Sequence, residues 1–279
     1  MRISISQLKD MKQRGEKIAV LTAYDYPTAQ IVERAGVPVI LVGDSLGNVV
    51  LGYESTIPVT MGMMLHHTKA VTRAVKNVLV VSDMPFMTYQ ASVDEALRNA
   101  ARFMQEAGAQ AVKIEGGVGM VSTVKRLVDT GIPVMGHIGL TPQSVYQLGG
   151  FKAQGKTAES AKQLASDAKA LEQAGAFAVV LETIPAELAL YISKQLTIPT
   201  IGIGAGAGCD GQVQVISDIL GLFSDFVPKH TRQYAHLSHE IYNAIVQYAQ
   251  DVKSGDFPAR KESISMDKEE LDAFEKDCK

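Results

Sequence analysis

Acidic side chains end several short apolar runs, where they could share one charged site. Asp44 ends the run that begins at Val39, Asp83 lies at the end of the next run, and Glu115 ends the one after that. Three carboxylates in a partly buried site repel one another, and a cation relieves that repulsion. Oxygen ligands without cysteine suit a hard divalent ion such as Mg²⁺. A single acid at a strand end is more often a helix cap or loop anchor, so the hypothesis depends on three acids on consecutive runs.

Other polar residues occupy the same kind of position. Lys113 precedes Glu115 by two residues, so both side chains point to one face of a strand. This pair fits either a simple salt bridge or a cation beside the metal that binds an anionic substrate. His137 fits either a satisfied core histidine or a group that hydrogen-bonds the ligands of the site. Glu182 is a fourth strand-end acid, and an acid outside the metal set is a candidate general base.

The elements that must position these residues alternate along the chain. Short runs rich in Val and Ile predict parallel strands buried on both faces, and segments with helical spacing fill the gaps. The predicted strands are Ile18–Asp25, Val39–Asp44, Val78–Met84, Ala111–Glu115, Val134–Ile138, Ala178–Glu182, Thr200–Ile203 and, most weakly, Phe226–Lys229. Eight such units favour a (β/α)₈ TIM barrel over a doubly wound sheet, which usually has fewer strands. In both folds the ligand site lies at the carboxyl ends of the strands.

Two loops carry their own signals. The glycines of 202–208 match a dinucleotide-binding fingerprint only weakly, because such a motif belongs in a first strand–helix–strand unit. A close approach of backbone, where only glycine fits, is the simpler interpretation. The segment 141–156 is long for a connection at this face of a barrel, and such loops often act as lids over the site.

Composition excludes several classes of protein. The 279 residues are 46% hydrophobic, which excludes intrinsic disorder, and 27 Lys and Arg against 30 Asp and Glu leave a net charge of −3, which makes a nucleic-acid partner unexpected. Neither Cys209 nor Cys278 has a CxxC partner, so no disulfide framework is expected. No membrane span or signal peptide is recognisable, and a cytoplasmic location is expected.

The end of the chain differs from the rest. After Pro258 it has few apolar residues and many charges, which fits a short helix against the barrel, an oligomer arm or a partly disordered tail. We therefore expect one catalytic barrel domain over 1–263 and a charged C-terminal extension over 264–279.

A set of motifs in order along the chain carries a resemblance to a known family. They include the stretch around GDSLGN, then VVSDMPFMTY, AVKIEGG, VMGHIGLTPQSV, GGFKAQGK, VVLETIPAELA, PTIGIGAG and VKSGDFPARKESI. Together they resemble ketopantoate hydroxymethyltransferases from about Ile5 to Ser263. The resemblance implies a barrel of the phosphoenolpyruvate/pyruvate type. It also implies transfer of a hydroxymethyl group from 5,10-methylenetetrahydrofolate to 3-methyl-2-oxobutanoate, giving 2-dehydropantoate and tetrahydrofolate in pantothenate biosynthesis.

The same resemblance implies roles for individual residues. Asp44, Asp83 and Glu115 correspond to the family's Mg²⁺ ligands, and Glu182 to its proposed proton acceptor. The keto acid is expected to lie against Asp44, Asp83, Ser45 and Lys113, with His137 beside it, and an enolate stabilised by Mg²⁺ is the expected intermediate. The family tends to form decamers, so a homodecamer is expected.

Two rival functions explain the same residues less well. Relatives of isocitrate lyase and phosphoenolpyruvate mutase also chelate keto acids through Mg²⁺, but they rely on a cysteine in a mobile loop, and the comparable loop here has none. A catalytically silent barrel that only binds a metabolite is disfavoured by the four strand-end acids. Formation of 2-dehydropantoate from the keto acid and the folate donor separates these possibilities.

Overall fold

The fold is a closed barrel of eight parallel strands within the residues that the structure describes, 2–222 and 227–278. In this computed structural model the strands are β1 (Ile18–Thr22), β2 (Val39–Val42), β3 (Leu79–Asp83), β4 (Ala111–Glu115), β5 (Val134–Gly139), β6 (Ala178–Glu182), β7 (Thr200–Ile203) and β8 (Gly211–Gln214). Each strand pairs with the next along the chain, and β8 pairs with β1 to close the ring. The predicted TIM barrel is confirmed, and a doubly wound sheet is excluded because such a sheet has two free edges.

Helices alternate with the strands. They are α1 (Ile5–Gln13), α2 (Tyr26–Arg34), α3 (Leu46–Val49), α4 (Met61–Ala74), α5 (Val93–Gln105), α6 (Val121–Asp129), α7 (Val145–Leu148), α8 (Ala158–Gln173), α9 (Ala186–Gln195), α10 (Ile216–Ile219), α11 (Leu237–Ser254) and α12 (Lys268–Asp277), with 3-10 turns at Val118–Met120, Pro142–Ser144 and Arg260–Glu262. The sequence fixes several of their ends. The Ser92 hydroxyl accepts a hydrogen bond from the Glu95 amide at the start of α5, and Thr157 caps α8 in the same way through the Ser160 amide. These caps satisfy amides that have no partner inside the first helical turn.

Two apolar cores hold the barrel together. The inner core fills the ring with strand residues such as Val81 and Met135, and Leu8 of α1 packs against it. The outer core lies between strands and helices and includes Ile114 of β4 and Phe103 of α5. Successive strand residues point to opposite faces, so a strand that meets both cores must be apolar throughout. This explains why seven of the strands are visible as continuous apolar runs.

The sequence prediction of the eighth strand is wrong. Residues 227–229 form no strand, Phe226 lies outside the described residues, and the barrel closes through β8 at 211–214 instead. This strand alternates, with Gln212 exposed and Val213 buried. The Gln212 amide donates to the Gly206 carbonyl, and the Gln214 side chain accepts from the Thr231 hydroxyl. Because two of its four residues are glutamines bonded to loops, β8 has no apolar run to reveal it.

The glycine loop that follows β7 passes close to α9. Gly206 has a φ of +77°, and a Cβ there would lie 2.5 Å from the Cβ of Ala186. A Cβ at Gly208 would lie 2.8 Å from the Cβ of Leu190. The glycines are therefore required by close packing of backbone, as the simpler interpretation of this loop predicted.

The C-terminal region is helical but lies outside both cores. No residue of α11 or α12 is buried. Of the outcomes considered for the charged tail, the structure gives a helix over 268–277, while the division into domains at residue 263 stays a prediction. Among the described residues, no helix combines the length and apolarity that crossing a membrane would require.

Candidate active site

Five charged side chains form a continuous chain across the carboxyl ends of β3 to β6. The Lys113 Nζ lies 3.2 Å from Oδ1 of Asp83 and 3.9 Å from Oε1 of Glu115. The His137 Nδ1 lies 3.1 Å from that ammonium and 3.3 Å from Oε1 of Glu115. On its other side, the His137 Nε2 lies 3.1 Å from Oε2 of Glu182. The strand register produces this order, since it sets Asp83 beside Lys113 and Glu115 beside His137.

Gln143, on the loop after β5, joins two of the predicted metal ligands. Its side-chain amide donates to Oδ2 of Asp44 at 2.8 Å and to the Met84 carbonyl at 2.9 Å. Its backbone amide donates to Oε2 of Glu115 at 3.0 Å. The Asp44 amide in turn donates to Oδ2 of Asp83 at 3.0 Å, so all three acids belong to one hydrogen-bonded network.

Tyr89 completes this network from the loop after β3. Its buried hydroxyl donates to Oε1 of Gln143 at 2.8 Å and accepts from the Glu115 amide at 3.0 Å. Sequence reasoning missed both Tyr89 and Gln143, because a neutral amide and a phenol show no strand-end charge. Both lie inside motifs that carry the family resemblance, MTY and TPQSV, and that position was the available signal.

The buried charges shift one another's pKa values. Burial, together with the nearby Asp83 and Glu115 carboxylates, raises the pKa of Asp44. Burial would lower the pKa of Lys113, but the surrounding carboxylates outweigh it and raise that pKa above its ordinary value. Burial and Lys113 also lower the pKa of His137, yet contacts with Glu115 and Glu182 raise it to about 9. Lys113 and His137 are therefore both cationic at neutral pH, and they offset part of the negative charge of the carboxylates around them.

The acids offer free oxygen atoms. Oδ1 of Asp83 and Oε1 of Glu115 are buried and accept no hydrogen bond, although Lys113 and His137 lie close by. Such oxygens are hard donors, and a divalent cation is the partner that suits them. Over the described ranges, no three His, Cys, Asp or Glu side chains are gathered as tightly as in a preformed metal site. The chemistry of the donor set fits Mg²⁺, while Lys113 neutralises the acids in this arrangement.

A cavity of about 790 Å³ opens above these residues. All the predicted site residues line it, namely Asp44, Ser45, Asp83, Lys113, Glu115, His137 and Glu182. The Ser45 hydroxyl lies 2.9 Å from the Tyr24 hydroxyl, which holds it at the edge of the cavity. Phe151, on the loop predicted to act as a lid, also lines the cavity and is 61% exposed. The lid itself stays a prediction.

The backbone around Glu182 is held by a glycine on the neighbouring strand. Gly139 has a φ of +96°, and a Cβ there would lie 2.3 Å from the Glu182 carbonyl oxygen. The Leu140 amide donates to that same oxygen at 2.8 Å. Any larger residue at position 139 would push β6 away and carry Glu182 from His137.

Comparison with known proteins decides the family. The model of the ketopantoate hydroxymethyltransferase family matches residues 2–260. The 3-methyl-2-oxobutanoate hydroxymethyltransferase of Dehalococcoides mccartyi (strain CBDB1) is 65% identical over 276 residues, which cover 99% of each chain. The chain belongs to the ketopantoate hydroxymethyltransferase family. As a member of this family it is an enzyme, a transferase that acts on small molecules, as the sequence motifs predicted.

Solved structures similar to this family member share its fold. Phosphoenolpyruvate phosphomutase from Streptomyces platensis subsp. rosaceus superposes with a TM-score of 0.60 at 18% identity, covering 99% of this chain and 98% of that one. Phosphonopyruvate hydrolase in complex with oxalate and Mg²⁺ superposes with a TM-score of 0.58 at 13% identity, covering 93% of each chain. At these identities the likeness shows the (β/α)₈ barrel fold alone.

One further acid of this hydroxymethyltransferase-family barrel is not among the site residues predicted from the sequence. Asp218 lies on α10, directly after β8, and lines the same cavity. The amide of Ile216 donates to the Thr22 hydroxyl at 3.0 Å, which fixes the start of α10 against β1. Because the eighth strand was expected some fifteen residues later, Asp218 was not recognised as a residue of the barrel mouth.

Proposed function

We propose that the protein transfers a hydroxymethyl group from 5,10-methylenetetrahydrofolate to 3-methyl-2-oxobutanoate, giving 2-dehydropantoate and tetrahydrofolate for pantothenate biosynthesis. One observation carries the proposal: the buried chain of charges that runs from Asp83 through Lys113, Glu115 and His137 to Glu182, in a member of this family. It offers cations for an anionic substrate, oxygen ligands for a metal and a carboxylate at the far end.

The keto acid is an anion, and the site has groups that suit it. The Lys113 ammonium is held on the floor of the cavity and favours both a negative substrate and a negatively charged intermediate. Ser45 offers a hydroxyl at the cavity edge for the substrate carboxylate, with Tyr24 orienting it. Asp44, Asp83 and Glu115 would hold Mg²⁺, with support from their buried oxygens and from a relative of the same fold that contains Mg²⁺. Bound there, Mg²⁺ supplies Lewis-acid stabilisation of the charge that develops on the keto oxygen.

Glu182 is placed to remove the proton from C3 of the keto acid. It lies at the edge of the cavity, only partly buried, and its Oε2 is 3.1 Å from the cationic His137. His137 Nε2 faces Oε2 of Glu182, and the carboxylate keeps further lone pairs that can accept a proton. The electron pair released at C3 then forms a bond to the methylene carbon of the folate as the bond from that carbon to N10 breaks, and N10 takes up a proton. Water next displaces N5 from the same carbon, N5 takes up a proton from the water, and the hydroxymethyl group and tetrahydrofolate result.

The test of the function is direct. Purified protein with 3-methyl-2-oxobutanoate, 5,10-methylenetetrahydrofolate and Mg²⁺ should produce 2-dehydropantoate, detected by mass spectrometry. Omission of the folate donor and removal of metal with a chelator should each abolish the product. Absence of product with every divalent metal tried would contradict the proposal and favour a silent barrel.

The expected homodecamer and cytoplasmic location belong to the same proposal. Along α11 the apolar side chains Ile241, Tyr242, Ile245, Tyr248 and Val252 are all between 46% and 65% exposed, so one face of this helix is uncovered. Contiguous exposed apolar patches mark contact sites, which supports assembly. Analytical ultracentrifugation should give the mass of ten chains, and a monomer would contradict it. Cell fractionation tests the location.

A further inference from the structure

The carboxylate of Asp218 stands out among the acids that line the cavity. It is 7% exposed, yet among the described residues its side chain makes no hydrogen bond and no ion pair. The other buried acids of the cavity are paired, Asp44 with Gln143, and Asp83 and Glu115 with Lys113. Of the two remaining acids of the lining, Glu182 contacts His137 and Glu54 is exposed to solvent.

Burial without a partner is costly for a carboxylate. Placing a charge in a low-dielectric site without compensation is unfavourable, and a buried group kept without a partner calls for an explanation such as a bound ion or water, or a catalytic or binding role. Burial raises the pKa of Asp218 to about 6, so it is ionised at neutral pH and needs a donor. The described residues offer none, and Asp218 faces the open cavity.

The size of the cavity indicates a second ligand. About 790 Å³ lies in the range of pockets for drug-sized molecules, far more than a five-carbon keto acid fills. Apolar side chains of the strands, including Leu41, Ile203 and Val213, line the space, and Tyr53 and Phe151 add aromatic surface. The unfilled part therefore suits a flat, largely apolar ring system with polar groups at one edge.

We propose that Asp218 anchors the pterin ring of the folate co-substrate by accepting hydrogen bonds from its N3–H and its 2-amino group. These two donors lie side by side on one edge of the pterin, as the two N–H groups of a guanidinium do, and a carboxylate accepts such a pair in a bidentate manner. The inference rests on the proposed function, because it takes folate as the donor. It places the pterin beside α10, across the barrel mouth from Lys113.

The experiment measures binding of tetrahydrofolate to the full chain by calorimetry under anaerobic conditions. Asp218→Asn keeps the shape of the side chain but turns one acceptor into a donor. Its dissociation constant for tetrahydrofolate should rise about ten- to hundredfold, as expected for loss of a charge-assisted pair. Glu187→Gln, which neutralises an exposed acid on α9 outside the cavity lining, is the matched control and should leave the constant unchanged.

A ligand variant isolates the contact itself. A tetrahydrofolate analogue without the 2-amino group should bind the wild type more weakly than tetrahydrofolate does, and should show little difference on Asp218→Asn. Such coupling of a protein change with a ligand change reports the interaction between the two groups. Equal discrimination by both proteins would overturn the inference.

A separate measurement shows whether Asp218→Asn still folds and keeps the part of the site that binds the keto acid. Exchange of the C3 proton of 3-methyl-2-oxobutanoate in deuterated water with Mg²⁺ needs no folate, and Asp218→Asn should catalyse it at the wild-type rate. A parallel loss of exchange, or an unchanged tetrahydrofolate affinity, would overturn the inference. If the wild type itself binds no tetrahydrofolate, the proposed function fails together with it. If the wild type binds and the variant binds equally, only the role of Asp218 fails.

Discussion

The two sides of the barrel mouth treat buried charge in opposite ways. From β3 to β6, Asp83, Glu115 and Glu182 each meet Lys113 or His137 within 4 Å. Beside β8, Asp218 is almost as deeply buried and meets no cation among the described residues. A paired cluster is organised before any ligand arrives, whereas an unpaired carboxylate requires a ligand to complete it. This difference supports our proposals that the first side takes the reacting anion and its metal, and that the second side takes the uncharged pterin ring of the co-substrate.

The largest effect is expected from replacing Glu182, the proposed base on the side of the barrel mouth where the buried charges are paired. Glu182→Gln should lower turnover by about 10²- to 10⁴-fold, the usual contribution of a general base, while keto acid binding persists. Steady-state kinetics and calorimetry measure the two quantities. Glu187→Gln, an exposed acid on the following helix, serves as the control and should keep full activity. Wild-type turnover in Glu182→Gln would remove this residue from the chemistry.

The second-largest effect is expected from removing one partner of the buried ion pair between Asp83 and Lys113. Asp83→Ala leaves Lys113 with one fewer carboxylate in a buried site, and loss of one partner of such a pair typically costs about 3–5 kcal/mol. Calorimetry should also show weaker Mg²⁺ binding. Asp129→Ala removes an exposed ion pair with Lys125 and should cost well under about 1 kcal/mol. If the two variants lost the same free energy of unfolding, or if Asp83→Ala bound Mg²⁺ as tightly as the wild type, the buried ion pair would be no more important than the surface one.

A smaller effect tests the hydrogen bonds that orient the acids. Gln143→Leu removes the donor to Asp44 and to the Met84 carbonyl and the acceptor for Tyr89, so three buried groups lose a partner. Loss of such supporting bonds typically weakens metal binding by about 10- to 100-fold. Tyr89→Phe, which removes only the hydroxyl, should show a fraction of that loss. The measurement is Mg²⁺ titration by calorimetry, and unchanged affinity in both variants would make this network merely structural.

The smallest expected effect is a gain in stability rather than a loss, and it concerns Asp218, the unpaired carboxylate beside β8. The pKa of Asp218 is raised from 3.8 to about 6, so the stability that its protonated form contributes is present below the unfolded value and lost as the pH rises through about 6. Asp218→Asn does not ionise and should gain about 1 kcal/mol over the wild type at pH 7, or about 2–4 °C in Tm. The gain should shrink as the pH falls from 7 to 5. A variant less stable than the wild type at pH 7 would show that Asp218 is already paired.

What the sequence allowed to be predicted follows from the same physics. Strands buried on both faces appear as apolar runs, and a charged residue that ends such a run is conspicuous, so Asp83, Glu115 and Glu182 were found. The strand β8 has no apolar run, because glutamines bonded to loops stand where apolar residues would be expected. Without that strand, Asp218 could not be predicted as a residue of the barrel mouth. Gln143 was missed because a neutral amide becomes informative only when the fold brings its partners to it.

We propose that the paired cluster, with Mg²⁺ bound, removes the C3 proton of the keto acid without any contribution from the folate. Mass spectrometry of 3-methyl-2-oxobutanoate incubated with the protein and Mg²⁺ in deuterated water, without folate, tests this most directly. Deuterium should appear at C3 when Mg²⁺ is present, and it should be absent when Glu182→Gln replaces the wild type. Exchange that persists in Glu182→Gln, or that occurs only when folate is present, would contradict it.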